Sequence, residues 1–134
     1  MTAHLAPLHR VVDGGREPAG RVVLVHGFTQ TLAAWGPVGE RLAGRWQVVR
    51  VDLPGHGGSG GVRVGFEEAA GLVGAAGGAG AYVGYSLGGR VCLRLALDRP
   101  DLVRGLVLVG ASPGIADSGI QAAAGSTPGR TWSP

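Results

Sequence analysis

The chain of 134 residues has no lysine and no asparagine, a single cysteine and few aromatic residues. All 12 of its basic residues are arginines, spread singly along the chain, and its formal charge is only +3. A nucleic-acid-binding surface gathers basic residues on one element, so the sequence predicts no nucleic-acid partner. One cysteine cannot form an internal disulfide, and Cys92 falls on the apolar face of a predicted helix. We expect it to be a small buried hydrophobe.

Long apolar runs are also absent from the sequence. No stretch approaches the roughly 18 residues that a membrane-spanning helix needs. Residues 1–7 lack the basic start and the apolar run of a secretory signal. We therefore expect a cytoplasmic protein that has no membrane partner. At this length the chain holds at most one domain, whose core must consist mainly of valine, leucine and alanine.

Short apolar runs alternate with helical patterns along the first 110 residues. The runs rich in valine and leucine predict strands buried on both faces, preceded by an edge strand at 8–12. Three segments between them have apolar residues at helical spacing, although Gly71 and Gly74 weaken the second by about 1 kcal/mol each. The alternation predicts an α/β fold, with a mostly parallel sheet and helices on both faces. The predicted buried strands are 21–25, 46–51, 81–83 and 106–109, and the predicted helices are 35–43, 67–76 and 89–97.

The most informative segment is Gly84-Tyr85-Ser86-Leu87-Gly88. It lies between a predicted strand and a predicted helix, which is the context of a nucleophile elbow. So tight a turn excludes bulky side chains two residues before and after the serine, and Gly84 and Gly88 meet that need. Ser86 would then be exposed, with the amide of Leu87 placed to hold a developing oxyanion. A phosphate-binding glycine loop is the alternative, but no acidic residue ends a following strand at the required distance.

Four motifs in a fixed order resemble a known family. They are 25–28 (Val-His-Gly-Phe), 52–59 (Asp-Leu-Pro-Gly-His-Gly-Gly-Ser), the elbow, and 110–114 (Gly-Ala-Ser-Pro-Gly). Over residues 8 to 116 the chain resembles the N-terminal half of an α/β-hydrolase, so an incomplete α/β-hydrolase core is expected at 1–116. The elbow through Arg90, with the later Ala-Ser-Pro-Gly, is similar to the 2-succinyl-6-hydroxy-2,4-cyclohexadiene-1-carboxylate synthases of menaquinone biosynthesis. Carboxylesterases share three of the four motifs.

The resemblance implies a role for several residues. Ser86 matches the catalytic serine, and the amides of Phe28 and Leu87 match the oxyanion donors. Arg90 matches an arginine that pairs with a substrate carboxylate, and Tyr85 would line the pocket. From the residues alone, Arg90 could equally be a solvated helix arginine and Tyr85 a packing residue.

The reaction implied by the resemblance is a proton abstraction. A serine activated by histidine would remove a proton from a cyclohexene dicarboxylate, and pyruvate would be eliminated. The implied substrate is a small-molecule carboxylate. The resemblance implies no metal and no organic cofactor, and the sequence leaves the oligomeric state open.

The partners that such a serine needs are not evident in the sequence. A catalytic serine requires a histidine oriented by a carboxylate, and in α/β-hydrolases both follow the serine in the chain. Here every histidine precedes Ser86, and of the later acids only Asp117 is a candidate for the orienting acid. A rearranged pair of Asp52 and His56 is a weak alternative. The histidines are His4, His9, His26 and His56, and the other later acids are Asp98 and Asp101.

Residues 117–134 differ in character from the rest of the chain. They have little apolar periodicity, which predicts a disordered or out-of-frame tail. The sequence therefore predicts a truncated protein with little or no turnover of its own. Three functions stay open: a lyase of the menaquinone pathway, an ester or acyl hydrolase fragment, and a non-enzymatic remnant.

Overall fold

The computed structural model of the protein describes residues 6–15 and 20–112. The predicted tail at 117–134, His4 and Asp117 lie outside the described residues. In the described part the strands are β1 (Arg10–Asp13), β2 (Arg21–Val25), β3 (Gln47–Val51), β4 (Gly80–Tyr85) and β5 (Val103–Val109). The α-helices there are α1 (Gly36–Leu42), α2 (Phe66–Gly77) and α3 (Leu87–Asp98), and two short 3-10 turns lie at Leu32–Trp35 and Gly57–Ser59.

The strands form one sheet in the order β1-β3-β2-β4-β5. Strands β3, β2, β4 and β5 are parallel, and β1 runs antiparallel to β3 at the edge. The predicted α/β fold with a mostly parallel sheet is confirmed. Because parallel strands all point the same way, the loops that follow β2, β3, β4 and β5 meet at one end of the sheet.

Helices pack on both faces of the sheet, as the alternation predicted. Helices α2 and α3 cover the face that we call face A. Helix α1 and the 3-10 turn before it cover part of the opposite face, face B. Side chains of face A include Val23, Val25, Val49, Val51 and Tyr82, and those of face B include Val22, Leu24, Val48 and Val83. Most of these valines and leucines are fully buried, which explains why their strands read as continuous apolar runs.

The glycines that weaken α2 differ in their surroundings. At Gly74 an added Cβ would lie 2.9 Å from Cδ1 of Leu95 and 3.2 Å from Cδ1 of Leu102. At Gly71 it would meet nothing within 4 Å. Gly74 therefore allows α3 to pack closely against α2, and tertiary packing offsets its poor helix propensity.

Two further predictions can be compared with the structure. The helix predicted at 35–43 is divided into the 3-10 turn Leu32–Trp35 and the shorter α1, with a proline in the first turn of α1. Proline lacks the N–H that a preceding helical turn would need, so it favours a helix start at this point. Cys92 is fully buried in the core, as expected, and burial raises the pKa of its thiol above the usual range.

Candidate active site

Ser86 lies at the junction of β4 and α3, in a backbone conformation that few residues adopt. Its φ is 53° and its ψ is −114°, and left-handed φ values are costly for a residue with a Cβ. A Cβ on Gly84 would lie 2.5 Å from the carbonyl oxygen of Gly88, and a Cβ on Gly88 would lie 2.3 Å from that of Val25. The amide of Ser86 donates to the carbonyl of Val109 at 2.9 Å. The strand, the strained serine and the helix together have the geometry of a nucleophile elbow.

The loop that follows β2 lies beside this elbow. An added Cβ on Gly27 would be 3.2 Å from the carbonyl oxygen of Tyr85, the residue before the serine. Gly27 and Gln30 close the loop: the Gly27 amide donates to Oε1 of Gln30, and the Gln30 amide donates to the Gly27 carbonyl. Phe28 lies within this turn, with 68% of its side chain exposed. The structure thus brings the turn that carries Phe28 and the first residue of α3, Leu87, to the same end of the sheet.

His26 is a structural residue of this loop and not a base. Its side chain is fully buried, its Nδ1–H donates to the carbonyl of Gly27 at 2.7 Å, and its Nε2 accepts from the amide of Leu53 at 3.1 Å. An Nε2 that accepts a hydrogen bond carries no proton, so the imidazole is neutral. Its Nε2 lies 3.9 Å from Oδ1 of Asp52, but a neutral ring forms no ion pair. Both ring nitrogens are occupied, which leaves none to serve Ser86.

The neutral state of His26 predicts a pH dependence of stability. Burial is the largest cause of a lowered pKa for this side chain, relative to the ordinary value of 6.5. Below about pH 6.5, His26 therefore binds a proton more readily in the unfolded chain than in the folded chain. The free energy of unfolding decreases as the pH falls. Urea unfolding between pH 8 and pH 5 measures this slope. His26→Gln should reduce the slope, and an unchanged slope in this variant would contradict the assignment.

Asp52, directly after β3, links the 3-10 turn Leu32–Trp35 to the turn Gly57–Ser59 at the carboxyl end of the sheet. It is almost fully buried, its Oδ1 accepts from the amide of Leu32 at 2.7 Å, and its Oδ2 accepts from the amide of Gly58 at 2.8 Å. Its backbone carbonyl accepts from the hydroxyl of Ser59 at 2.8 Å. The Nδ1–H of His56 donates instead to the carbonyl of Pro54 at 2.9 Å. The carboxylate of Asp52 therefore orders loops, and the weak alternative of an Asp52–His56 pair gains no support.

Arg90 lies one helical turn after Ser86 and lines an open groove of about 420 Å³ between α2 and α3. It forms no ion pair with any acid in the described residues. Arg94 is different, because it pairs with Glu67 at 3.2 Å and with Asp98 at 2.8 Å. Arg90 is thus a cation in the first turn of α3 with no acidic partner among the described residues. The groove is lined by Phe66, Leu87, Arg90, Leu93, Arg94 and Leu97.

Several residues of this region were not indicated by the sequence. Gln30 closes the turn around Phe28, but a glutamine three residues after a glycine is not a recognisable motif. Leu93 and Leu97 have helical spacing, which predicted only a buried face, yet Leu97 is 73% exposed. In residues 6–15 and 20–112 no three His, Cys, Asp or Glu side chains converge on a point where a metal ion could be held. No helix within these ranges is long and apolar enough to cross a bilayer.

The elbow, the neighbouring loop and the parallel sheet are together those of an α/β-hydrolase. The model of the α/β hydrolase fold family matches residues 20–129, which is most of the chain. The chain therefore belongs to the α/β-hydrolase fold family, as the four motifs predicted.

The chain is also similar to individual members of this family. The 2-succinyl-6-hydroxy-2,4-cyclohexadiene-1-carboxylate synthase of Escherichia coli O1:K1 is 37% identical over 116 residues, covering 81% of this chain and 45% of the relative. The structure of MenH from S. aureus superposes with a TM-score of 0.68 at 25% identity, covering 86% of this chain and 47% of that one. A monoacylglycerol lipase from Paleococcus ferrophilus has a TM-score of 0.71 at 32% identity, with coverages of 94% and 52%. The chain spans about half the length of these relatives.

Proposed function

We propose that the chain carries the nucleophile and oxyanion half of a serine-dependent site, and that this site serves the elimination of pyruvate that forms 2-succinyl-6-hydroxy-2,4-cyclohexadiene-1-carboxylate. The observation that carries the proposal is the strained Ser86 between β4 and α3. The 37% identity to the synthase of E. coli supports this reaction over others of the fold.

Each residue of the site has a separate task in this proposal. The Ser86 oxygen, once a histidine takes its proton, removes a ring proton of the substrate. The electron pair of that carbon–hydrogen bond moves into the ring to form the second double bond, and the carbon–oxygen bond to the enolpyruvyl group breaks. The enolate that leaves takes up the proton held by the histidine and becomes pyruvate. The amides of Phe28 and Leu87 hold the negative charge that develops on a substrate oxygen. Arg90, free of ion pairs among the described acids, binds a substrate carboxylate, and Tyr85, 41% exposed, lines the pocket.

The proposal requires a histidine and an acid that the described residues do not supply to Ser86. His26 is committed to Gly27 and Leu53, and Nδ1 of His56 to Pro54. A serine without a base is a weak nucleophile and a weak base. We therefore expect the 134-residue chain by itself to show little or no turnover, and turnover within tenfold of a full-length synthase would contradict this.

A chimera tests the proposed reaction directly. Residues 1–112 are joined to the segment that follows the matched region in the E. coli synthase, and release of pyruvate from the enolpyruvyl substrate is measured. We expect turnover in the chimera and a loss of at least about 100-fold in kcat on Ser86→Ala, since a general base contributes 10²–10⁴-fold. Arg90→Gln should mainly raise KM, and Arg45→Gln, at an exposed position after α1, serves as its matched control. If the chimera with Ser86→Ala keeps the kcat of the parent chimera, Ser86 does not remove the ring proton.

An ester hydrolase is the second candidate, because the monoacylglycerol lipase is 32% identical over most of the chain. A hydrolase would form a covalent acyl intermediate on Ser86. The same chimera is therefore offered a short-chain nitrophenyl ester and a fluorophosphonate. Ester turnover without pyruvate release would favour the hydrolase. Pyruvate release without ester turnover would favour the lyase.

A further inference from the structure

The turn that carries Phe28 contains a second strained residue. Among residues 6–15 and 20–112, Thr29 and Ser86 are the only residues other than glycine with a positive φ, which is 68° at Thr29. Left-handed φ values are costly for any residue with a Cβ, and most costly for a β-branched residue such as threonine. Both strained residues lie at the carboxyl end of the sheet. Strain of this kind clusters at functional sites and persists only where the surrounding structure holds it.

The strained turn has type II geometry. The amide of Gln30 donates to the carbonyl of Gly27 at 3.1 Å, so Phe28 and Thr29 are the two central residues. The φ of Phe28 is not positive, whereas that of Thr29 is, and this combination defines a type II turn. The second central position of such a turn normally holds glycine or asparagine. A threonine would avoid the strain if the peptide group between Phe28 and Thr29 rotated, which would give the commoner type I turn.

The orientation of that peptide group affects the proposed oxyanion site. Its rotation would exchange the positions of the Phe28 carbonyl and the Thr29 N–H, directly beside the Phe28 amide. An N–H group stabilises a nearby oxyanion, and a carbonyl oxygen destabilises it. Within the described residues the amides of Gly27 and Gln30 have acceptors in the turn, and the amide of Phe28 has none. The electrostatic field at this open amide therefore depends on how the next peptide group is held.

The side chain of Gln30 is the contact that holds the turn from within. Thr29 is exposed, so the packing of its own side chain does not account for the strain. Oε1 of Gln30 accepts from the amide of Gly27 at 2.9 Å, which gives the turn a second hydrogen bond in the opposite direction to the first. A hydrogen bond and a strained φ are of similar energy. The loss of this one bond is therefore enough to let the strain relax.

We propose that Gln30 is a positioning residue of the oxyanion turn. Its side chain keeps the peptide group between Phe28 and Thr29 in the strained orientation, and the Phe28 amide is thereby oriented for a substrate oxygen before the reaction begins. A donor that is already oriented needs no reorganisation when the charge develops. The inference rests on the proposed role of the Phe28 amide, and it applies to the lyase and to the ester hydrolase alike.

Nuclear magnetic resonance of the 134-residue chain tests the turn itself. In a type II turn, Hα of the first central residue lies close to the amide proton of the second, because ψ of the first is about 120° and not about −30° as in type I. We expect a strong nuclear Overhauser effect between Hα of Phe28 and the amide proton of Thr29. It should weaken in Gln30→Ala. It should return in the double variant Thr29→Gly/Gln30→Ala, because glycine adopts the left-handed conformation without strain.

Kinetics of the chimera described above test the consequence for catalysis. With whichever substrate the chimera turns over, Gln30→Ala should lower kcat by about tenfold or more, because a misplaced oxyanion donor stabilises the transition state less. KM should change little. In a Thr29→Gly background the same substitution should cost far less, and a merely structural role of Gln30 would not produce this coupling.

Gln47→Ala is the matched control for Gln30→Ala. Oε1 of Gln47 accepts from Nε of Arg21 at 2.8 Å, so this variant also loses a hydrogen bond of a glutamine side chain. Gln47 is the first residue of β3 and therefore lies at the opposite end of the sheet from the turn. Its substitution should leave kcat and the Overhauser effect at Thr29 unchanged.

Four results would overturn the proposal. They are a weak Overhauser effect in the parent chain, an effect that Gln30→Ala leaves unchanged, a Gln30→Ala chimera that keeps its kcat, and a loss of kcat that is as large in the Thr29→Gly background as in the parent. A chimera that turns over neither substrate counts against the proposed function, and the Overhauser effect then decides whether Gln30 holds the turn. The two proposals therefore fail separately.

Discussion

Gly88→Ala is expected to reduce the free energy of unfolding by about 3 kcal/mol, a large part of the stability of a small domain. The new Cβ would lie 2.3 Å from the carbonyl oxygen of Val25 and 2.4 Å from that of His26. Both atoms belong to the backbone at the end of β2, so no side chain can rotate away. Either α3 moves off the sheet, or β2 loses its register. Urea unfolding of the variant and the parent chain measures the difference.

Gly71→Ala is the matched control for this substitution. Gly71 is exposed on α2, and an added Cβ would meet nothing within 4 Å. Alanine has the better helix propensity, so this variant should gain about 1 kcal/mol. If Gly88→Ala costs less than about 1 kcal/mol, the close approach of α3 to the end of β2 is wrong, and with it the geometry of the elbow.

Asp52→Ala is expected to cost about 3–5 kcal/mol of unfolding free energy. The substitution removes two hydrogen bonds to a buried carboxylate, and such bonds contribute about 1.5–3 kcal/mol each. The amides of Leu32 and Gly58, which now donate to the two oxygens at 2.7 and 2.8 Å, would lose their acceptors. The 3-10 turn before α1 and the loop at 57–59 should then separate from the end of β3. Chemical unfolding, with hydrogen exchange of the two amides, measures both effects.

Two further variants serve as comparisons for the loss of unfolding free energy in Asp52→Ala. Asp52→Asn keeps one acceptor oxygen but places an NH₂ group towards one of the two amides, so its cost should lie between zero and that of alanine. Asp98→Ala removes a carboxylate that pairs with Arg94 at the surface, and its effect should be far smaller, because solvent screens exposed ion pairs. Equal effects of Asp52→Ala and Asp98→Ala would contradict the linking role of Asp52.

The inner strands of the sheet were predictable because they are buried on both faces. Valine and leucine fill both sides of β2 and β3, and such continuous apolar runs are rare elsewhere in a globular chain. Strand β5 was predicted three residues too short, since Arg104 and Gly105 interrupt its apolar run while the backbone still pairs with β4. Pairing with a neighbour, and not the side chains, extends this strand.

The elbow was predictable for a different reason. Its requirements are local: two glycines, a serine, a strand before and a helix after, all within a short stretch of chain. The contacts of Asp52 are not local, because Leu32 lies 20 residues earlier and Gly58 lies six residues later. No spacing rule connects these positions, so the sequence suggested only an unlikely pair with His56. The groove beside Arg90 was missed for the same reason, since Phe66 comes from another helix.

The hydrogen bond from the Ser86 amide to the Val109 carbonyl connects the strained turn at Ser86 to the carboxyl end of β5. If the carboxyl end of β5 separates from β4, Ser86 loses the hydrogen bond that helps to hold its strained backbone in place. A contact that holds the end of β5 in place would therefore also hold the backbone of Ser86. The order of the end of β5 and the orientation of the Ser86 hydroxyl are therefore coupled.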